Sequence, residues 1–247
     1  MRGNFVYAPI AQLDRASDYG SEGWGFKSSW AYFLLGEKLV SPTPEKVLSV
    51  LDPLCIALRK FERIPSKDHF RFEIGTLDNP GWTIDLDLSG TELDGRSFTT
   101  INESRSEHNW IFCKVEKSKF SACGGPLNLR EMLRLLVGWI DEAITFQEDR
   151  RIIRNDPISQ LEMWYVRQTD GDWEHEYGAD IRWNPAQWNV EIDISKLEIR
   201  DFQVDKPADP SYIHDWYSWK TGDDRFVATG GTESITAILR DFGNFAL

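Results

Sequence analysis

Cysteine is scarce in this chain of 247 residues, which has only Cys55, Cys113 and Cys123. The number is odd and no two stand at metal-ligand spacing. That excludes a disulfide framework and suits buried free thiols in a reducing compartment. No apolar run approaches the length of a membrane span. The first residues, "MRGNFVYAPIAQLDRAS", lack the apolar middle of a secretory signal. The expected location is the cytoplasm, with no membrane partner. Bases are outnumbered, 28 Lys and Arg against 40 Asp and Glu, for a net charge of −12. A nucleic-acid binder would carry a basic stripe to neutralise phosphates, so nucleic acid is not an expected partner. The surplus of acid is uneven: residues 151–247 hold 18 acids against 10 bases, −8 of the −12.

Aromatic residues are plentiful. Eleven tryptophans and 14 phenylalanines supply much of a hydrophobic content of 41%. That is enough core for one large domain or two of about 100 residues each. The chain also repeats itself at an offset of 106. "HNWIFCKVEKSKFSACGGPLNLREMLRLLVGWI" (108–140) lies over "HDWYSWKTGDDRFVATGGTESITAILRDFGNFA" (214–246) without a gap, with nine of 33 positions identical. The same offset sets "WTIDLDLS" (82–89) over "WNVEIDIS" (188–195). This is a duplicated unit.

Each copy reads alike. Trp82, Ile84, Leu86 and Leu88 alternate with polar residues, as Trp188, Val190, Ile192 and Ile194 do, which is the pattern of a half-buried strand. "FRFEI" (70–74) alternates too, and the turn residues of "TLDNPGW" join the two strands as a hairpin. Shorter aromatic strands follow near 109–115 and 118–123, and again near 215–220 and 224–229. A Gly-Gly turn then leads into a helix. In the first copy Asn128 with Glu131 reads as a capping box, ahead of an apolar face running from Leu129 to Phe146. The second copy has a shorter face in Ile235, Ile238, Leu239 and Phe242. Helices are expected before each sheet, at 44–62, bent or broken at Pro53, and at 157–168. The predicted fold is α+β, two tandem copies of an α-ββββ-α unit with antiparallel sheets, each packed against a helix. The first unit would span 37–150 and the second 151–247. Residues 1–36 fall outside the repeat. "APIAQLDRASDYGSEGWGFKSS" (8–29) resembles the translation of a transfer-RNA gene, so 1–36 reads as a poorly structured extension, either a mis-assigned start or a loose N-terminal arm.

The densest chemistry lies in "DGDWEHEY" (170–177). Asp170, Asp172 and Glu174 alternate as a calcium loop begins. The sixth and twelfth positions, where such a loop needs glycine and glutamate, are His175 and Ile181. No metal and no cofactor are expected. Read as a strand, the segment sends Trp173, His175 and Tyr177 to one face and Asp172, Glu174 and Glu176 to a solvated row on the other. A histidine satisfied among aromatics is favoured over a small hydrolase using Glu174, His175 and Glu176. On the sheet, Asp85, Asp87, Glu191 and Asp193 read as an exposed carboxylate ladder.

"WYVRQTDGDWEHEYG" (164–178) resembles the opening signature of the immunity protein 53 family of bacterial polymorphic toxin systems. "IGTLDNPGWTIDLDLSGTEL" (74–93), "NWIFCKVE" (109–116) and "GGPLNLREMLRLLVGWI" (124–140) are similar to the rest of the same unit. The resemblance covers about 68–141 and 158–246. The first copy keeps the "LDNPGW" turn but has "SKDHFRFEIG" in place of the signature; the second keeps the signature but has "WNPAQW" in place of the turn. The resemblance implies an antidote, not an enzyme, that binds and blocks a cognate toxin. A basic toxin is expected, since opposite charge steers association. The expected partner-binding residues are Asp170, Asp172, Trp173, Glu174, His175 and Glu176, with Asp78, Asn79 and Trp82 of the first copy. A duplicated structural domain that binds no toxin is the further alternative.

Overall fold

The computed structural model describes residues 49–62, 72–142, 156–197, 202–206 and 214–247. Residues 1–36, the helical positions Ala143 and Phe146, and most of the 150–157 junction lie outside them. The first copy runs α1 (Leu51–Phe61), β1 (Phe72–Leu77), β2 (Gly81–Asp87), β3 (Ile101–Ser106), β4 (Asn109–Glu116), β5 (Lys119–Gly124) and α2 (Leu129–Ile140). The second runs α3 (Pro157–Gln168), β6 (Ala179–Asn184), β7 (Gln187–Asp193), β8 (Gln203–Lys206), β9 (Tyr217–Gly222), β10 (Arg225–Gly231) and α4 (Ile235–Ala246).

The fold is α+β and antiparallel as expected, but the sheet is not two sheets. All ten strands form one, in the order β3-β4-β5-β2-β1-β6-β7-β10-β9-β8. Each copy brings five strands, not four. The additional ones, β3 and β8, are the two edges of the sheet. Along β3 every residue after Ile101 is exposed, so the sequence carries no apolar alternation to mark it. The copies join because β1 and β6 would otherwise each present an unpaired row of backbone groups. They pair antiparallel with Ile74 opposite Ile181 and Phe72 opposite Trp183.

That register defines a pseudo-two-fold axis. The buried positions of α1 and α3 coincide at an offset of 107, so Leu51, Leu54, Leu58 and Phe61 match Ile158, Leu161, Tyr165 and Gln168. The same offset carries Ile74 onto Ile181. Each isoleucine therefore faces its own counterpart across the seam. The offset falls back to 106 after the hairpin, because three residues turn between Leu77 and Gly81 but only two between Asn184 and Gln187.

The repeated residues make repeated bonds. Trp82 Nε1 donates to the Pro126 carbonyl and Trp188 Nε1 to the Thr232 carbonyl, both at 2.9 Å. The backbone N–H of Gly125 reaches the Trp110 carbonyl as that of Gly231 reaches the Trp216 carbonyl. A Cβ on Gly125 would lie 2.2 Å from the His108 carbonyl oxygen, and one on Gly231 would lie 2.3 Å from that of His214. The Gly-Gly turn and the histidine two residues before each tryptophan thus form one close backbone contact, built twice. It needs glycine.

One hydrophobic core joins the inward residues of the sheet to all four helices. Leu129, Met132, Leu133, Leu136 and Ile140 of α2 are buried as predicted, as are Ile235, Ile238, Leu239 and Phe242 of α4. Pro53 does not bend α1. It sits in the first turn, where its missing N–H has no intrahelical partner to lose. The expected capping box on α2 does not form. Asn128 makes no side-chain cap and instead donates to Asn109 Oδ1 and Glu131 Oε2. The acceptor at this helix start comes from the other copy: Glu162 of α3 takes the N–H of Arg130 at 2.9 Å. The Arg130 guanidinium returns the contact to Asp156 and Ser159 at the start of α3.

Candidate functional site

On the open face of the sheet three of the four ladder carboxylates are paired with bases, and Asp87 instead accepts the backbone N–H of Ser89 at 2.9 Å. Asp85 pairs with Lys119, Glu73 and Asp180 with Arg182, and Glu191 and Asp193 with Arg225. Such exposed pairs each contribute little to stability. They also leave this face without the bare row of acids read from the sequence.

The "DGDWEHEY" segment is not a strand. After α3 the chain makes a tight loop and a single 3₁₀ turn at Trp173–His175 before entering β6. The alternation of faces expected for it therefore fails. Glu174 is only 6% exposed. Its carboxylate accepts the backbone N–H groups of Asp170 and Gly171, at 3.1 and 3.0 Å. Asp170 in turn accepts the N–H groups of Asp172 and Trp173. Its carboxyl is held well below the usual range, first by the bond from Lys196 and then by those two backbone groups. The spacing D-x-x-x-E thus satisfies four backbone donors of an irregular loop.

Trp173 is 4% exposed and fills the space beneath. Its ring meets Trp164 and Tyr165 of α3 edge-on and stacks on Tyr177, with centroids 5.7, 6.3 and 5.9 Å away. Lys196 lies over the indole, 6.0 Å from its centroid, and donates to the Gln168 carbonyl. The outer members of the segment are Asp172, His175, Glu176 and Tyr177, all exposed.

The first copy's turn lies against this loop. Tyr165 of α3 donates its hydroxyl to the Leu77 carbonyl at 3.0 Å and accepts from Gly81 N–H at 3.3 Å, closing both ends of the Asp78-Asn79-Pro80 turn. Burial pushes this phenol up to about 12, so it remains a donor at neutral pH. The same ring packs on Trp82 at 4.8 Å. One strand over, Ala179 N–H donates to Thr76 Oγ1, and a Cβ on Gly178 would lie 1.9 Å from that oxygen. Gly178 is what lets the signature close onto β1. The two pieces kept by different copies therefore meet at one corner of the molecule.

Of the nine expected site residues, Asp78, Asn79, Asp170, Asp172, His175 and Glu176 are exposed here, whereas Trp82, Trp173 and Glu174 are buried beneath. Two residues that sequence reading missed join them. Asp223 and Asp224, in the β9–β10 turn, are exposed at the same end, tied through the bond from Ile194 N–H to the Asp224 carbonyl. Asp78, Asp172, Glu176, Asp223 and Asp224 make no ion pair among the described residues. Among the described residues, the bases of this region are Lys196, tied to Asp170, Arg225, tied to Glu191 and Asp193, and Arg167 in the last turn of α3. Among the described residues a surplus of unpaired acid thus gathers at this end, whereas most carboxylates of the open face are paired. No group of three or more His, Cys, Asp or Glu among the described residues is placed to hold a metal ion. No described helix is long and apolar enough to cross a membrane.

The profile of the family described as immunity protein 53 matches this sequence twice, over residues 66–141 and 158–246. Neither a curated protein nor a solved structure matches.

Proposed function

Because the chain belongs to the immunity protein 53 family, with both of its copies matched, we propose that it neutralises a cognate, basic polymorphic toxin by binding it through the corner that joins the two copies. The observation carrying this reading is the family match across both copies. The unpaired carboxylates support the choice of a basic toxin, since they would attract such a partner and orient its approach. The exposed Tyr177, stacked on a fixed indole, offers the kind of rigid aromatic that interfaces favour. Trp82, Trp173 and Glu174 hold this surface in shape from within.

The action is binding rather than catalysis. A hydrolase built on Glu174, His175 and Glu176 would need Glu174 free to move a proton, and its oxygens are engaged by backbone N–H groups. His175 has no hydrogen bond or ion pair among the described residues that would orient its ring as a base. The test is co-expression of this chain with each polymorphic-toxin C-terminal domain of the source organism. One domain is expected to become harmless and to co-purify with the chain, with affinity falling as salt rises. Growth arrest by every domain, undiminished by the chain, would refute the reading.

A further inference from the structure

The pseudo-two-fold axis creates two equivalent corners, and their described residues differ. At the first, the three-residue turn of β1–β2 is closed by Tyr165 and lies beside the 3₁₀ signature loop. At the second, the position of Tyr165 is held by Leu58, which has no hydroxyl to bond a turn. The hairpin there is the two-residue Pro185-Ala186, with Ala186 at a φ of 75°. The two corners also lie at opposite ends of the central strands, because β1 and β6 run antiparallel.

We infer that one toxin domain docks on each chain, at the first corner, contacting the Asp78-Asn79 turn of one copy and the Asp172–Tyr177 loop of the other together. The inference rests on the immunity reading above and goes beyond it in fixing place and stoichiometry. In a symmetric pair of units, every corner would recur by rotation. Here the duplication sits in one chain, so its two corners are free to differ. The partner favoured is a single basic protein surface broad enough to span the seam. A partner reading one copy alone would have no use for a turn pinned by the other copy's tyrosine.

The experiment uses the full chain and the toxin domain that co-expression identifies, made inactive in its own active site. Three variants are compared by titration calorimetry: Asp78→Lys in the first copy, Glu176→Lys in the second, and Glu92→Lys as a control. All three positions are exposed, and Glu92 lies in the loop at the opposite end of β2. One toxin domain per chain is expected. Asp78→Lys and Glu176→Lys should each weaken binding about tenfold or more, while the control stays within about threefold. Two toxin domains per chain, or a loss confined to Glu176→Lys, would overturn the inference while leaving the immunity function intact. Equal losses in all three variants would reduce the effect to overall charge and overturn it too. Finding no neutralised toxin would refute the functional reading itself.

Discussion

Tyr165 shows how much a single side chain can carry across the seam between copies. Its hydroxyl is bonded to both ends of a turn that lies more than eighty positions away. Tyr165→Phe keeps the ring stacking and removes only those bonds. It should cost about 1–3 kcal/mol in urea denaturation, since a half-buried carbonyl and a buried N–H lose their partner. Exchange of the Gly81 amide should speed up in parallel. Glu162 is a second such residue. Burial, ahead of its other influences, raises its carboxyl from 4.5 to about 7. The folded chain therefore holds this proton more tightly than the unfolded chain does. The stability that results is fully present below about pH 4.5 and is lost as the pH rises through 7. Glu162→Gln keeps an acceptor for the start of α2 and removes the charge. Thermal melts should show a flatter pH dependence between 5 and 8, and a gain of about 1–3 kcal/mol at pH 8. No gain at pH 8 would mean the ionised carboxylate is better accommodated than its burial implies. Neither role is visible in the sequence, where Tyr165 and Glu162 read as ordinary members of an amphipathic helix.

At the scale of elements, sequence patterns were informative wherever packing is regular. The alternation from Trp82 to Leu88, and again from Trp188 to Ile194, announces β2 and β7. The apolar spacings announce α2 and α4, and Pro157 marks the start of α3. The patterns failed where an element is defined by backbone bonding instead. β3 and β8 are edges, paired on one side only, and β3 carries no buried face to impose a period. "DGDWEHEY" alternates in polarity like a strand, yet its acids bond the loop's own N–H groups, a local competition that periodicity does not register. Gly178 shows the same limit. Its necessity follows from Thr76 on a neighbouring strand of the other copy. Gly178→Ala should destabilise by about 1–3 kcal/mol through overpacking at the seam. Adding Thr76→Ala, which removes the clashing oxygen, should recover part of that loss. Strict additivity of the two changes in chemical denaturation would mean that the contact does not govern the β1–β6 junction.

The whole molecule reads as a pair folded into one chain. The duplication was legible from the 106-residue offset, but the merging of two sheets into one was not. Pairing of β1 with β6 depends on edges that each copy leaves open, and neither strand's own pattern states what lies beside it. The candidate site was legible in its pieces: Asp78, Asn79 and the Asp170–Glu176 run were found from their resemblance to the family unit. Their convergence at one corner required the register across the seam. On the proposed reading the toxin docks at this corner and not at its pseudo-equivalent. Hydrogen–deuterium exchange of the full chain, free and bound to the toxin domain that co-expression identifies, distinguishes the two. Slowed exchange is expected in residues 78–81 and 170–178 together, with residues 184–187 unchanged. Protection of 184–187, or of the second copy's loop without the first copy's turn, would contradict it.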